Sequence, residues 1–557
     1  MKKTLLKTTA GILTAALIVA GLAGCGRGKE DKAAESAVTE DAADPAKAQN
    51  GETADSGETT VDPENPWMIG DPDDPIELTI FLNHTWYPIE EFKGIIPDEI
   101  TRRTGIRLVP TKATDASQLG VLASSGELPD LVFTSTMLDI LSDPEICYSY
   151  NELIDEYNVD WDIDESHIIN AKAFSPDDNY YFIFSHASTN KDWAKSSGVP
   201  MVGSMLYRYD MLEELGNPEI NNLDDLDRVF GMVKEKWPDV TPLVFNVDTW
   251  WLEPFKTWNG CTLQDFIIND NNQCEIVAKT EPFKQYLSYC NNMYRKGYIN
   301  ADNFSWNTSD MVSAFGSGKA FASIGNTQTG NRPPTGSGSY LQMLQDVAPN
   351  AQLREMKPLS DYPLINSEVG WCGTFITKNN KNVEASIRFM QFMYSEEGQK
   401  LSQWGREGSE YVMDENGVPV FSEEWKKANE EGKLNEIYCT NFHLGGSKIL
   451  EAESRCAIEG EEFVESNKAI RESYTNEAWY VYSAPKTSDG DYKVIYDQMV
   501  DLVRSAQAKI ILSEDDSEFE KNYNEFIEQL NKIGVDGLAE YMTPKLVEAR
   551  DMFLAAE

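Results

Sequence analysis

Leu128-Pro129-Asp130-Leu131-Val132-Phe133 is the stretch on which the fold turns. Pro129 has no backbone N–H and stops the short helix expected from Leu119 to Gly126. The triplet Leu131-Val132-Phe133 then reads as a strand buried on both faces, as strands of parallel sheets are. Working towards the N-terminus, Ile106 to Val109 forms a second strand after the turn at Gly105, and a helix runs through Ile100 before it. Further back, Ile76, Leu78 and Ile80 alternate with Glu77, Thr79 and Phe81, and the run ends in the loop 83–88. Strands alternating with helices predict an α/β layout with helices covering a sheet.

The same style continues towards the C-terminus. Leu206 to Asp210 reads as a strand, and Met211 to Leu215 as a helix ended by Gly216. Asn222 caps a helix with Leu223, Leu226, Phe230 and Val233 on one face, closed by Pro238. Leu243 to Phe245 and Phe321 to Ile324 are further short strands, and 330–339 is a Gly/Pro/Ser loop. Three later stripes are helical core contacts: Val383, Ile387, Met390 and Tyr394; Ile495, Met499, Leu502, Val503 and Ala506; and Phe519, Tyr523, Phe526, Ile527 and Leu530.

The N-terminus has another character. Lys2, Lys3 and Lys7 precede an apolar run from Gly11 to Ala20, the layout of a secretory signal. That run is short of the roughly 20 apolar residues a spanning helix needs. Leu22-Ala23-Gly24-Cys25 resembles the lipobox of bacterial lipoproteins, which implies cleavage after residue 24 and lipidation of Cys25 by a diacylglyceryl group with palmitate-type chains. From Gly26 to about Pro75 large apolar residues are scarce, so 25–75 is expected to be a disordered acidic tether.

With 557 residues the chain can build two or three domains. Its 92 acidic against 48 basic residues give a formal charge of −44, which repels phosphate backbones and argues against nucleic acid as a partner. Seven cysteines follow Cys25, an odd number that leaves at least one thiol unpaired. Cys261 and Cys274 are close enough in sequence for a local bridge, though nothing requires one. No C-x-x-C pair occurs and the four histidines are scattered singly, so no metal site and no cofactor is expected. Asp160, Asp162 and Asp164 alternate, but the glycine and bidentate glutamate of a calcium loop are missing. Neither a G-x-S-x-G elbow nor an H-E-x-x-H helix appears, and the chain is not read as an enzyme.

A series of short motifs carries a family resemblance. It starts at Arg103-Thr104-Gly105-Ile106 and Ala123-Ser124-Ser125-Gly126-Glu127-Leu128-Pro129-Asp130-Leu131. Tyr207-Arg208-Tyr209-Asp210, Asn222-Leu223-Asp224-Asp225-Leu226 and the stretch from Met293 to Ile299 follow, then Phe315-Gly316-Ser317-Gly318-Lys319-Ala320. Ser395-Glu396-Glu397-Gly398 and Trp404-Gly405-Arg406-Glu407-Gly408 close it. In this order the series resembles the extracellular solute-binding proteins of ABC importers, of the large sugar-binding type. The resemblance implies a periplasmic-binding-protein-like fold (type 2), with discontinuous lobes joined by a hinge. It assigns 76–205, with 374–399 returning, to an N-lobe, and 206–373 with 400–557 to a C-lobe. The hinge would lie near Val202 to Leu206 and Trp371 to Phe375.

It further implies a monomeric receptor, lipid-anchored on the extracytoplasmic face of the cell membrane, that captures an oligosaccharide for an ABC permease. A secreted glycoside hydrolase and a peptide-binding surface lipoprotein remain the alternatives. Sugars offer C–H faces and hydroxyl rims, so ring platforms and planar polar groups on loops at strand carboxyl ends are the expected contacts. These are His84, Trp86 and Tyr87 after the first strand and Thr134, Ser135 and Thr136 after Phe133, Ser135 foremost. Asp248, Trp250 and Trp251 follow Phe245 in a stretch, Thr241 to Gly260, that resembles the sugar-contacting loop of maltose-binding members. Asn326 and Gln328 follow Ile324, and Trp371 sits beside the second crossover. Arg406 and Glu407 are read either as an anchor for a uronate carboxylate or as an internal ion pair ordering their loop.

Overall fold

The structure is a computed structural model that describes residues 67–556 apart from 86, 88, 201–202, 247–251, 327–339, 367–368, 441–443 and 459–463. Cys25 and the lipobox, residues 26–66 of the tether, Trp86, Val202, Asp248, Trp250, Trp251 and Gln328 lie outside the described residues. Residues 67–70, expected to belong to the disordered tether, are instead docked on the first lobe: Ile69 N and Gly70 N donate to Thr104 O at 2.8 and 2.9 Å, and Trp67 and Ile69 pack against its core.

Fourteen strands appear among the described residues. In chain order they are β1 (Ile76–Leu82), β2 (Ile106–Lys112), β3 (Leu131–Thr134), β4 (Gly203–Arg208), β5 (Thr241–Val244), β6 (Phe266–Ile268) and β7 (Cys274–Ile276). They continue as β8 (Ala320–Asn326), β9 (Leu353–Glu355), β10 (Leu364–Asn366), β11 (Gly373–Ile376), β12 (Tyr411–Met413), β13 (Pro419–Phe421) and β14 (Tyr474–Asn476). Two four-stranded sheets form the lobes, in the orders β11-β3-β1-β2 and β5-β8-β4-β9.

In the first sheet β1 runs parallel to both β2 and β3, and β11 joins β3 antiparallel. Helices Ile95–Thr104 and Gln118–Ser125 make the crossovers that parallel pairing requires. The first ends at Gly105, whose φ of 67° and tight approach to Gly70 both exclude a side chain. Asp130 welds the strand starts together. Its Oδ2 accepts from Thr79 N at 2.9 Å and Thr79 Oγ1 at 2.6 Å, while its own N–H donates to Thr79 Oγ1 at 3.0 Å.

Both faces of this sheet are covered. Leu78, Ile80, Leu82, Leu131 and Phe133 share one core with Ile387, Met390, Trp404 and Trp425. Phe81, Val132 and Phe375 turn to a second core with Leu119, Phe182 and Phe184. Apolar side chains from Leu401 to Leu444 therefore pack with the first lobe, which differs from the assignment of all of 400–557 to the other lobe. The reason is Trp404, fully buried beside Tyr411 and Phe421; deleting such a ring costs about 3–5 kcal/mol.

In the second sheet β5 is parallel to β8, and β4 is antiparallel to both β8 and β9. Asn222 caps Leu223–Lys236 through its Oδ1, 2.9 Å from Asp225 N. Helices Asp491–Ile511, Asp516–Ile533 and Val535–Ala556 cover the core of this lobe through Met499, Phe519, Phe526, Leu538 and Met542. The last helix continues to the first lobe, where Phe553 joins the Phe81 core and Lys191 Nζ donates to Ala556 O at 2.7 Å.

The lobes are laced where the chain crosses. β10 and β14 pair in parallel, Leu364 opposite Tyr474. Asn190 fastens β14 to the first lobe, its Nδ2 donating to Asn476 O and its Oδ1 accepting from Asn476 N, both at 2.9 Å. Arg471 donates to the carbonyls of Trp193, Ser196 and Gly198 ahead of the crossing into β4. All seven described cysteines are free thiols, Cys261 and Cys274 included. Among the described residues no helix is long and apolar enough to cross a membrane. Asp164, last of the alternating aspartates, caps a helix through Ser166 N.

His186 is the buried polar side chain that fixes the packing behind β11. The backbone N–H of His186 donates to Gly446 O at 2.5 Å, and a Cβ on Gly446 would collide with the His186 ring. Burial, reinforced by Lys448, pushes its pKa down to about 3 from the ordinary value of 6.5. Two outcomes are expected. Gly446→Ala should lower unfolding free energy by about 1–3 kcal/mol in urea, the usual cost of overpacking. Between about pH 6.5 and 3 the unfolded chain holds a proton on this ring that the folded chain lacks, so stability falls as the pH falls through that window. Relative to His186→Gln, the wild type should lose about 2 kcal/mol between pH 7.5 and pH 5; parallel curves would mean that the ring meets water.

Candidate functional site

The described half of the site is built on the carboxyl ends of β1 and β3. Beyond Leu82 the chain turns sharply: Asn83 N donates to Phe133 O at 3.0 Å, and His84 N to Leu82 O at 2.9 Å. This brings the His84 ring onto Trp371, with centroids 5.0 Å apart and planes 28° off parallel. Phe133 meets the Trp371 ring edge-on at 5.4 Å, and His186 does so at 6.0 Å. Trp371 is held in line by its own N–H to Ser185 O and by Ser185 N to Cys372 O, both 2.8 Å. It stays half-buried, a broad indole backed by three rings.

Polar groups stand beside this wall. Asn83 Nδ2 donates to the hydroxyls of Thr134 and Thr136, each at 3.0 Å, while its Oδ1 is buried and accepts no hydrogen bond. His84 Nε2 lies 3.2 Å from Cys372 Sγ, and burial lowers the imidazole pKa, so the ring is neutral at pH 7. Burial also pushes the Cys372 thiol far up, opposed by a hydrogen bond with Ser135. The wall thus offers ring surface, hydroxyls and amides without a full charge. Such groups hold an uncharged polyhydroxyl molecule without stranding an ion in a dry site.

His84, Ser135 and Trp371 lie together: His84 stacks on Trp371, and His84 and Ser135 both approach the Cys372 thiol. Tyr87 is not available: it is fully buried, packed against Phe133 and His84, because the turn after β1 folds it under the sheet end. Arg406 and Glu407 lie elsewhere. Arg406 Nη2 and Nε bind Glu410 Oε1 and Oε2 at 2.8 and 3.0 Å, and its N–H adds a third bond at 2.7 Å. Burial would raise the Glu410 pKa, but these bonds bring it below the usual value. Glu407 shares a surface depression of about 580 Å³ with Trp67, Arg103 and Glu397. Arg103 ends the helix just before β2 starts, and β1 and β2 are in register from Ile76↔Ile106, so this depression is at the opposite end of the sheet from His84. Arg406 is thus held in an internal pair with Glu410 that orders its loop.

In the second lobe the carboxyl ends of β5 and β8 and the start of β4 come together, with Asn326 opposite Gly203. Asn326 is the last residue of β8; Asp248, Trp250, Trp251 and Gln328 lie outside the described residues. Sequence reasoning missed Asn83 and His186. Asn83 adjoins a residue it named. His186 is a lone histidine with no motif around it.

Among the described residues no cluster of three or more His, Cys, Asp or Glu side chains is arranged to hold a metal ion. No curated protein sequence matches the chain. Solved structures do, at a level that establishes the fold. The alginate-binding protein AlgQ2, crystallised without calcium, is 19% identical over 85% of this chain and 98% of its own, with a TM-score of 0.63. The substrate-binding protein FusA of a Streptococcus pneumoniae ABC transporter, in complex with kestose, is 15% identical over 86% of this chain and 100% of its own, at 0.60. The N-glycan transport solute-binding protein NgtS of Streptococcus pneumoniae is 17% identical over 86% and 99%, at 0.54. These are two-lobed proteins of the periplasmic-binding type, as the paired sheets require. The family model for bacterial extracellular solute-binding proteins matches residues 98–408, more than half of the chain, and this protein belongs to that family.

Proposed function

We propose that this protein is a lipid-anchored receptor that captures an oligosaccharide between its lobes and delivers it to an ABC permease. The observation that carries the reading is the half-buried Trp371, stacked on neutral His84 and flanked by the hydroxyls and amide of Ser135, Thr136 and Asn83. An indole face suits the C–H patch of a pyranose, and the neighbouring groups suit its hydroxyl rim. The ligands named for similar structures, kestose for FusA and N-glycans for NgtS, favour the same class. The second-lobe contacts in this proposal are Asp248, Trp250, Trp251, Asn326 and Gln328, with Trp86 beside His84. Closure of the lobes over the sugar would be a hinge motion at the crossings.

The receptor acts as a monomer and does not cleave what it binds. Its anchor is Cys25, and the residues up to about 66 serve as the tether; a flexible chain of that length has an end-to-end distance on the order of 35 Å. Two or more acyl chains make such an attachment stable.

Calorimetric titration with neutral oligosaccharides tests the site. Trp371→Ala should weaken binding about three- to tenfold, the worth of one aromatic platform at ~0.5–1.5 kcal/mol, with Trp371→Phe retaining most of it. If Trp371→Ala, Trp250→Ala and Trp251→Ala all bind normally, the site is misplaced. Release of reducing sugar would instead reveal a hydrolase, and tight peptide binding without a sugar response a peptide receptor. Cys25→Ser should move the protein from the membrane fraction to the medium with unchanged affinity; a change in affinity would give the anchor a role in the fold.

A further inference from the structure

The second lobe carries a groove that the cleft does not use. It follows the free edge of β9, has a volume of about 910 Å³, and is lined on one face by Tyr207, Tyr209 and Arg354. Arg354 lies opposite Tyr207 in the β4–β9 register, and its guanidinium sits 3.3 Å over the Tyr209 ring. The groove is lateral to the cleft. The cleft end of this sheet is marked by Gly203 opposite Asn326, whereas Leu353 pairs with Arg208 at the other end of β4.

Arg354 is unusual in what it lacks. Among the described residues its guanidinium makes no hydrogen bond and no ion pair, although its Nε is buried. A buried N–H without an acceptor is costly, and a guanidinium presents its donors as a planar fork matched to a carboxylate. Stacking on Tyr209 fixes the plane of that fork without consuming a donor. Lys357, bonded to Asn221 Oδ1 at 3.1 Å, adds a second cation to the lining. Two acids also line the groove: Glu355 is buried and accepts from Ser466 Oγ at 3.3 Å, and Glu219 accepts from Asn221 Nδ2 at 3.2 Å. The side-chain amides of Asn217 and Gln352 also face this groove and make no hydrogen bond to the described chain.

We propose that this groove is a second saccharide site, selective for sugars that carry a carboxylate, with Arg354 as the bidentate anchor. The fork takes the carboxylate, Tyr207 gives ring surface, and the Asn217 and Gln352 amides take hydroxyls. The volume accommodates a few sugar rings rather than a bare ion, and pockets of this size ordinarily enclose small organic ligands. In a chain of net charge −44, Arg354 and Lys357 offset the two acids of this lining, and the unpaired Arg354 fork is the part an anionic ligand would exploit.

The test is titration of the full chain with trigalacturonate, with maltotriose and with inorganic phosphate. A saturable trigalacturonate site is expected that maltotriose does not occupy and phosphate does not displace. Arg354→Gln should weaken it at least tenfold while leaving neutral-sugar binding in the cleft intact. Arg354→Lys, which keeps charge and fold but loses the fork, should recover only part of the affinity, and Tyr209→Leu should weaken it as well. Trigalacturonate binding untouched by both Arg354 variants, or equalled by maltotriose, overturns the proposal. Displacement by phosphate at similar affinity overturns the saccharide assignment. Loss of cleft binding in the Trp371 variants with the Arg354-dependent site retained would separate this site's fate from that of the receptor proposal.

Discussion

The antiparallel pairing of β11 with β3 is the contact on which the two-lobed arrangement depends. Its register runs from Gly373↔Thr134 to Ile376↔Leu131, joining segments separated by most of the second lobe. The chain must therefore leave the first lobe after Val199, build β4 to β9, and return before residue 373. Closing so long a loop is inexpensive, since each doubling of length adds only about 0.6 kcal/mol. What it secures is specific: Tyr150 OH donates to Thr374 O at 2.6 Å, and Thr377 Oγ1 to Pro129 O at 2.6 Å, so both ends of the returning strand are tied. A strand imported from across the hinge also carries Trp371 and Cys372 to the carboxyl end of β1, where His84 waits.

That geometry packs three rings against the Trp371 indole. Phe133, His84 and His186 back the indole, and His186 is wedged against a glycine that tolerates no side chain. The lobes are restrained by crossing segments and by the last helix, which buries Met542 and Leu546 in one core and Phe553 in another. Motion between lobes must then be accommodated where the crossings run, near Val199 to β4 and around β10 and β14. A ligand contacting both sides would act on that joint through contacts differing between open and closed states.

Local chemistry was plain in the sequence wherever one residue suffices to set it. Gly126 caps the helix in the left-handed conformation, three residues ahead of the Pro129 expected to stop it, and Asp130 ties Thr79, so Leu131 to Phe133 reads as a parallel strand and is one. Asn222 caps its helix through a side-chain oxygen as its type predicts. Tyr87 shows the opposite case: a ring in a loop after a strand reads as exposed, and only the turn at Asn83 and His84 folds it under. Arg406 needed Glu410, four residues on, to become an internal pair. The stretch from Leu401 to Leu444 reveals nothing in sequence about which sheet it covers, because an apolar stripe states that it will be buried and not against what.

By itself the sequence determined an α/β chain of alternating strands and helices, a strongly acidic composition and the family motifs. Those follow from side-chain periodicity, backbone punctuation and charge, all local properties. Tertiary structure alone decided that β11 closes the first lobe, that Trp371 rests on His84, that Arg406 belongs to the far end of the sheet, and that Arg354 stands over Tyr209 beside a groove. Each of these joins residues far apart in the chain or sets the direction of a side chain, and neither is encoded in spacing. They emerge only when two covered sheets compete for the same apolar surface and the best-packed arrangement prevails.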